Sequence, residues 1–410
     1  MSIVEAASRL GWSTFWTRNR VLALTIVVVA GIAAYDHALW SMVDLQVYEH
    51  GAAELLTGGG LYATGPGLPF TYPPFAAWVF SPLVMLGPVC SIACMIVVSL
   101  LCYACFSWVC ARQLGLESSR WLILALLGLI FEPVLHTIGL GQVNLVLAAM
   151  IVVDCLVLPP KYRGYLLGIA VGIKLTPAVF VLYFLLRRDF AAIRRCAVSL
   201  LATVLLGWVV DPADSVLFWG KLFYNPGHVG RVGYPYNQGI YGMLARLGDT
   251  AHPSMLFFAG LVVLTLAFTV VAARRQVRGG HDLAALLCVA VCGLLLSPIS
   301  WTHHWVWLVP ATWVLALNRR WGGAALLAGV AIVEPLRYVP TPKFLPHLHD
   351  TWWQSLVSLS YTAAGACFLG LMLTVGPVSR ELGKHQAGRA PLHERPARYG
   401  YTASSYASCR

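Results

Sequence analysis

Residues 164–195, GYLLGIAVGIKLTPAVFVLYFLLRRDFAAIRR, decide how the chain is folded. The run from Gly164 to Leu186 is almost wholly apolar, and it is long enough to cross a hydrocarbon core about 30 Å thick as one helix. Such a helix would carry Arg187, Arg188, Arg194 and Arg195 to the outer side, against the preference of basic residues for the cytoplasmic side. A break at Lys174 to Pro177 removes the conflict, because proline lacks an N–H and disfavours helix at the residue before it. The spacing therefore predicts two short helices that meet at the outer face, with the arginines inside.

The rest of the chain has the same character. Of its 410 residues 59% are hydrophobic and only 11% are charged, with a mean hydropathy of +0.72. Soluble folds do not have that balance. The net charge of +11 would suggest nucleic acid as a partner, but the basic residues lie in short loops and in the tail, where they set membrane topology. No nucleic-acid partner is expected. The first apolar run, Val21 to Trp40, is too long for a signal sequence and lacks a small-residue cleavage site, so it is expected to be retained.

An all-α polytopic membrane protein of about 12 transmembrane helices follows, with crossings near 21–40, 91–111, 121–137, 142–158, 164–173, 176–186, 192–210, 254–274, 282–297, 303–318, 322–339 and 352–376. Both termini are then cytoplasmic: 1–20 is a cytoplasmic segment, 21–376 the membrane domain, and 377–410 a basic tail with no apolar period. Only Lys174, Lys221, Arg231, Arg246, Arg337 and Lys343 of the 28 Lys and Arg residues fall outside. Basic residues on the costly side of a membrane need a reason to be there. Pro73 to Pro88 is too short and proline-punctuated to cross comfortably, and two long outer loops, Ser41 to Tyr72 and Asp211 to Pro253, could roof a cavity. Ten of the 11 cysteines lie in or beside apolar segments as small hydrophobes, so no disulfide framework is expected.

The unusual residues gather at the outer ends of different spans, as a site for a substrate at the outer leaflet requires. Asp44, in SMVDLQVY, is placed to act as a general base, with a helix N-cap as the bland alternative. Lys174, in GIKLTPA, is a cation in an apolar run and needs an anion, either a ligand phosphate or a salt bridge to Glu132 or Asp44. His303 and His304 sit among Trp301, Trp305 and Trp307, and adjacent helical positions suggest that one of the two faces the cavity. Their spacing argues against a zinc site. LPFTYPPFAAW at 68–78, with Tyr72, forms a stiff aromatic corner for a sugar ring or a set of interfacial belt residues. Gln142 and Asn144 in GQVN, with Asn237 and Gln238, supply amides that read hydroxyl groups or cap helices.

VDLQVY, LPFTYPPFAA, GLGQVNLVL, VGIKLTPAVF, RVGYPYNQ and LLSPISWTHHWVWLVP follow one another in this order. With these motifs, from about residue 40 to 360, the chain resembles the actinobacterial polyprenyl-phosphomannose-dependent alpha-1,2-mannosyltransferases of the glycosyltransferase-C superfamily. The resemblance implies a plasma-membrane enzyme with a catalytic cavity on the outer face. It implies a polyprenyl-phosphate donor of mannose and a mannolipid acceptor among phosphatidylinositol mannosides, lipomannan and lipoarabinomannan. It makes Asp44 the base and puts His303 and His304 beside the donor phosphate. Other superfamily members carry two neighbouring acids, and here the next acid is Glu49. Lys174, His304 and Arg231 can stabilise the leaving phosphate as fixed donors, so no cofactor and no metal is expected to be required, and a monomer is expected.

Two other functions fit the composition. A lipid-linked sugar transporter or flippase also needs many spans, broken helices and buried polar residues, although no internal repeat or midplane charge relay is visible. A transferase of another polyprenyl-phosphate sugar would share every residue named above.

Overall fold

Helices and 3-10 turns make up all the regular structure among the described residues, apart from an isolated bridge between Asn237 and Trp301. The computed structural model describes residues 42–63, 67–225, 229–248, 253–339 and 351–375. The expected crossing at 21–40, the segment 1–20 and the tail from 377 lie outside the described residues.

The expected outer loop from Ser41 to Tyr72 contains a helix, α1 (Val43–Thr57), which packs on α2 (Pro74–Leu86). Gly87 separates α2 from α3 (Pro88–Gln113). The expected crossing at 121–137 is two helices, α4 (Ser118–Gly128) and α5 (Glu132–Gly139), bent by 69°. Pro133 explains the new start, since proline is pre-organised for the first turn of a helix. Next come α6 (Asn144–Leu156), packed on α3, and α7 (Tyr165–Ile173).

The break at Lys174 is present. Lys174 is extended at φ −146° and ψ 133°, and the chain resumes as a 3-10 turn, Thr176–Phe180, leading into α8 (Val181–Leu186). After it, α9 (Phe190–Val210) returns against α7. Gly168 and Gly172 make this approach close: a Cβ would come within 2.0 Å of Ser199 Oγ at the first and 2.2 Å of Thr203 Oγ1 at the second. Small residues four apart let membrane helices pack backbone to backbone.

The second expected outer loop holds α10 (Pro212–Gly220) and α11 (Ile240–Leu247). Then α12 (Met255–Arg278) packs on α13 (Asp282–Leu296), and the two differ sharply. Nearly every residue of α13 is buried, which is what a helix apolar all round requires when other helices surround it. On α12, Leu256 is 86% and Val263 67% exposed, an apolar face that water would not tolerate. The remaining helices are α14 (Leu308–Leu317), α15 (Trp321–Val333), α16 (Trp352–Val357) and α17 (Ser360–Thr374).

Three helices, α3, α9 and α12, are long and apolar enough to cross a membrane, and the bent pair α4 and α5 makes a fourth candidate. Six further apolar helical segments have 10–17 residues. Proline and polar junctions shorten them: α13 stops before Ser297 and Pro298, and α15 before Glu334 and Pro335. The chain is a helical membrane protein. Its described cysteines are free thiols.

Candidate active site

A cavity of about 1190 Å³ is lined by Asp44, Tyr72, Gln142, Lys174, Arg231, His303 and His304 among others. The position of Asp44 is set by backbone bonds. Met42 N–H donates to Gly139 O at 3.2 Å, and the N–H groups of Asp44 and Leu45 both donate to Leu140 O, at 3.0 and 3.2 Å. The start of α1 thus hangs on the end of α5. Gly141, at φ +67°, permits the contact, because a Cβ there would come within 2.7 Å of Leu45 Cβ.

Asp44 is not a helix cap. Met42 occupies that place, and no side chain caps α1. The Asp44 carboxylate instead accepts from Gln142 Nε2 at 2.9 Å. Burial raises its pKa to about 6, against the opposing pull of Lys174 and of the Gln142 hydrogen bond.

Gln142 joins the acid to the cation. Its Oε1 accepts from Tyr48 Oη, from Tyr72 Oη at 3.3 Å and from Lys174 Nζ at 3.5 Å. Gln142 thus lines the cavity while its amide holds Asp44 and Lys174 in register. Asn144 also meets Lys174. It faces a smaller cavity behind the main one, accepts from Lys174 Nζ at 3.0 Å, and donates to the carbonyl of His303 at 2.9 Å. The ring of Tyr72 has Lys174 Nζ 5.5 Å from its centre, so this face meets a cation.

Lys174 makes no ion pair among the described residues. The expected alternative, a salt bridge to Glu132 or Asp44, is therefore absent. Its Nζ also lies 3.2 Å from His304 Nε2, and a charged lysine, having only donors, makes that nitrogen the acceptor.

Both histidines line the cavity, not one. Residues 302–307 form a 3-10 turn, in which positions three apart share a face. Thr302 and Trp305 are buried on that face, which leaves His303 and His304 on the open side, ring centres 4.7 Å apart and edge to face.

Asn237 and Gln238 do not line the cavity. Both are fully buried. Asn237 donates to the carbonyls of Val232 and Pro298 at 2.8 and 2.9 Å and accepts from Ser300 N at 2.8 Å. Gln238 donates to Pro235 O and Ser358 O at 2.6 and 2.8 Å and accepts from Tyr361 N at 3.1 Å. These amides lash the 229–239 loop to the turn that carries the histidines, and no group is left for a substrate. Glu49 is also away from the cavity wall, accepting from Ser91 on α3.

Sequence reasoning missed His136 and Glu334, which line the cavity too; with them stands Arg337, singled out only for its charge, and Glu132 is buried behind. His136 Nδ1 pairs with Glu132, and Nε2 lies 3.2 Å from Glu334 Oε1. A signal was present. FEPVLH and VEPLRY each place a glutamate before proline within an apolar run, where ionisable residues are costly.

Residues 70–298 match the family model of Glycosyltransferase family 87. The chain is 35% identical over 387 residues to a polyprenol-phosphate-mannose-dependent alpha-(1-2)-phosphatidylinositol mannoside mannosyltransferase of Mycobacterium tuberculosis, covering 87% of this chain and 90% of the relative. It is 36% identical to a protein of the same name from Mycolicibacterium smegmatis, covering 78% of this chain and 80% of the relative. A phosphatidylinositol pentamannoside mannosyltransferase of Mycolicibacterium smegmatis is 40% identical over 337 residues, 77% of this chain and 79% of the relative. No solved structure matches the chain. By the family match and by these relatives, the chain belongs to glycosyltransferase family 87.

Proposed function

We propose that the enzyme transfers mannose from polyprenyl-phosphomannose to the 2-hydroxyl of a mannose on a phosphatidylinositol mannoside, with inversion, at the outer face of the plasma membrane. One observation carries this reading: a half-buried carboxylate and a half-buried cation without an ion pair, Asp44 and Lys174, face one cavity and are held together by one amide, Gln142. The names of the relatives supply the donor and the class of acceptor. Lipomannan and lipoarabinomannan present the same sugar to the same chemistry.

Asp44 takes the proton of the acceptor hydroxyl as its oxygen attacks the anomeric carbon. The bond from that carbon to the phosphate oxygen breaks, and the polyprenyl phosphate leaves with the electron pair. A beta-linked donor becomes an alpha product. Lys174, with His303, His304 and Arg231 on the same wall, stabilises the negative charge on the phosphate. We assign no step to a metal, because these fixed cations and donors supply the charge. The aromatic and apolar side chains Leu68, Phe218, Phe223 and Tyr224 line the same cavity and suit a polyprenyl chain.

This reading retains about 12 crossings, with the shorter apolar helices completing spans around the cavity, the segments 1–20 and 377–410 cytoplasmic, and 21–376 the transferase domain acting as a monomer. The test is mannosyl transfer by purified protein in nanodiscs containing EDTA, from polyprenyl-phosphomannose to a mannolipid, for wild type and Asp44→Asn. Turnover by wild type, with its loss in a variant that still binds donor, supports the reading. Full activity in Asp44→Asn removes Asp44 as base, and absence of transfer by wild type favours a transporter of lipid-linked sugar.

A further inference from the structure

His136 stands between two carboxylates. Its Nδ1 meets Glu132 and its Nε2 meets Glu334, so the ring donates from both nitrogens and is an imidazolium. Glu132 is saturated in turn by Thr302 Oγ1, at 2.6 Å, and by Tyr361 Oη. Glu334, with its side chain 15% exposed, reaches the cavity, as does Arg337 three residues on. Glutamate at position 334 has φ 51° and ψ 58°, the left-handed region that side chains seldom adopt. Such a conformation persists where its surroundings over-determine it, and here Pro335 opens the next turn while His136 holds the carboxylate.

We propose that Glu334 and Arg337, with Glu334 positioned by His136, hold the acceptor sugar by its hydroxyl groups. This inference rests on the function proposed above and assigns the acceptor's place within it. Two carboxylates, one imidazolium and one guanidinium sum to no net charge, so this part of the wall has little to offer a phosphate. A sugar ring is uncharged and needs both donors and acceptors, which a carboxylate and a guanidinium lining the same cavity provide. Tyr234, Tyr236 and Trp301 line the cavity with it, Tyr234 and Tyr236 stacked and Trp301 edge-on to Tyr234, and give apolar faces for a pyranose.

The subsite is tied to the base by α5. Leu140 N–H bonds to His136 O at 2.9 Å, and the Leu140 carbonyl receives the N–H of Asp44 at 3.0 Å. One short helix therefore sets the distance between the residue that positions Glu334 and the carboxylate that takes the proton. Glu132, His136 and Glu334 have their ligating atoms within 4.8 Å of one another, close enough for a metal ion. A metal ion is therefore the competing occupant of this cluster, and the experiment below separates it from the sugar.

The experiment compares wild type, Glu334→Gln and Arg337→Met in nanodiscs. Kinetics are measured with donor and mannolipid varied separately, and binding of methyl α-mannoside is followed by saturation-transfer NMR. In Glu334→Gln the KM for the mannolipid rises about 10- to 100-fold, the loss of hydrogen bonds to a charged group, while the donor KM stays within about twofold. The mannoside signal falls in both variants. His136→Gln raises the acceptor KM by a smaller factor with kcat retained. An unchanged acceptor KM and mannoside signal overturn the proposal. So does an equal loss toward donor and acceptor with a lowered Tm, which marks a structural role, or tight Mn2+ binding by wild type that Glu334→Gln abolishes. If wild type transfers no mannose yet binds methyl α-mannoside through Glu334, the proposed reaction fails and the sugar subsite stands.

Discussion

Two parts of the cavity wall handle buried charge in opposite ways. Around Lys174 the partners are amides, an imidazole nitrogen and an aromatic face, none of them an anion. Around His136 two carboxylates satisfy the ring on both sides, and one of them is closed by a tyrosine and a threonine. A largely desolvated ion without a direct ion pair is costly, whereas one paired and hydrogen-bonded is tolerated. On the proposed reading the difference says where each substrate goes. The cation without an ion pair is completed by the donor phosphate, and the internally balanced group by the acceptor sugar.

The comparison is broken most severely at the base. Asp44→Asn lowers kcat by about 1000-fold, the scale of general-base catalysis, with donor KM little changed, as initial rates against donor concentration will show. Next comes Lys174→Met, which weakens capture of the donor and stabilisation of the departing phosphate, cutting kcat/KM for the donor by about 100-fold. The same substitution leaves methyl α-mannoside binding in place. If Lys174→Met and Glu334→Gln raise the same KM, the division of the wall between phosphate and sugar is wrong.

The pH profile sharpens the contrast. A base acts only when ionised, and burial raises the Asp44 pKa to about 6. Transfer therefore falls as pH drops through about 6, approaching tenfold per unit below it, and levels above it; a profile flat from pH 8 to 5 removes Asp44 from the proton transfer. The smallest catalytic effect is expected at Asn237. Asn237→Ala leaves Ser300 N and the Val232 and Pro298 carbonyls without partners. It costs about 2–3 kcal/mol of stability, read as a lower Tm, while the KM values of properly folded enzyme change little.

How much of this was legible in the chain depended on what each residue's neighbours had to be. The break at Lys174 could be read because charge placement and proline act locally. Asp44, Lys174 and the histidine pair stood out because ionisable groups in apolar runs are few. The amides stayed open between two readings because an amide reads the same whether it meets a sugar or a carbonyl. Gln142, Asn144, Asn237 and Gln238 are all taken up in protein contacts, and only their partners reveal it. The pairing of His303 and His304 on one open side depended on a 3-10 turn where an α-helix was expected. Glu334 was overlooked although its VEPLRY setting marked it as costly, since nothing adjacent in sequence names its partner.

By itself the sequence determined that this is a helical membrane protein, where its long apolar runs are punctuated, and which charged residues lie in apolar surroundings without local compensation. Those properties follow from the solvation of each segment taken alone. Only the tertiary structure decided that Asp44 hangs on the end of α5, that Gln142 couples it to Lys174, and that His136 joins Glu132 to Glu334 across about 200 residues of chain. Hydrogen bonds and ion pairs act over a few ångströms, and the partners that complete a buried charge become known only when the helices bring distant residues within that reach.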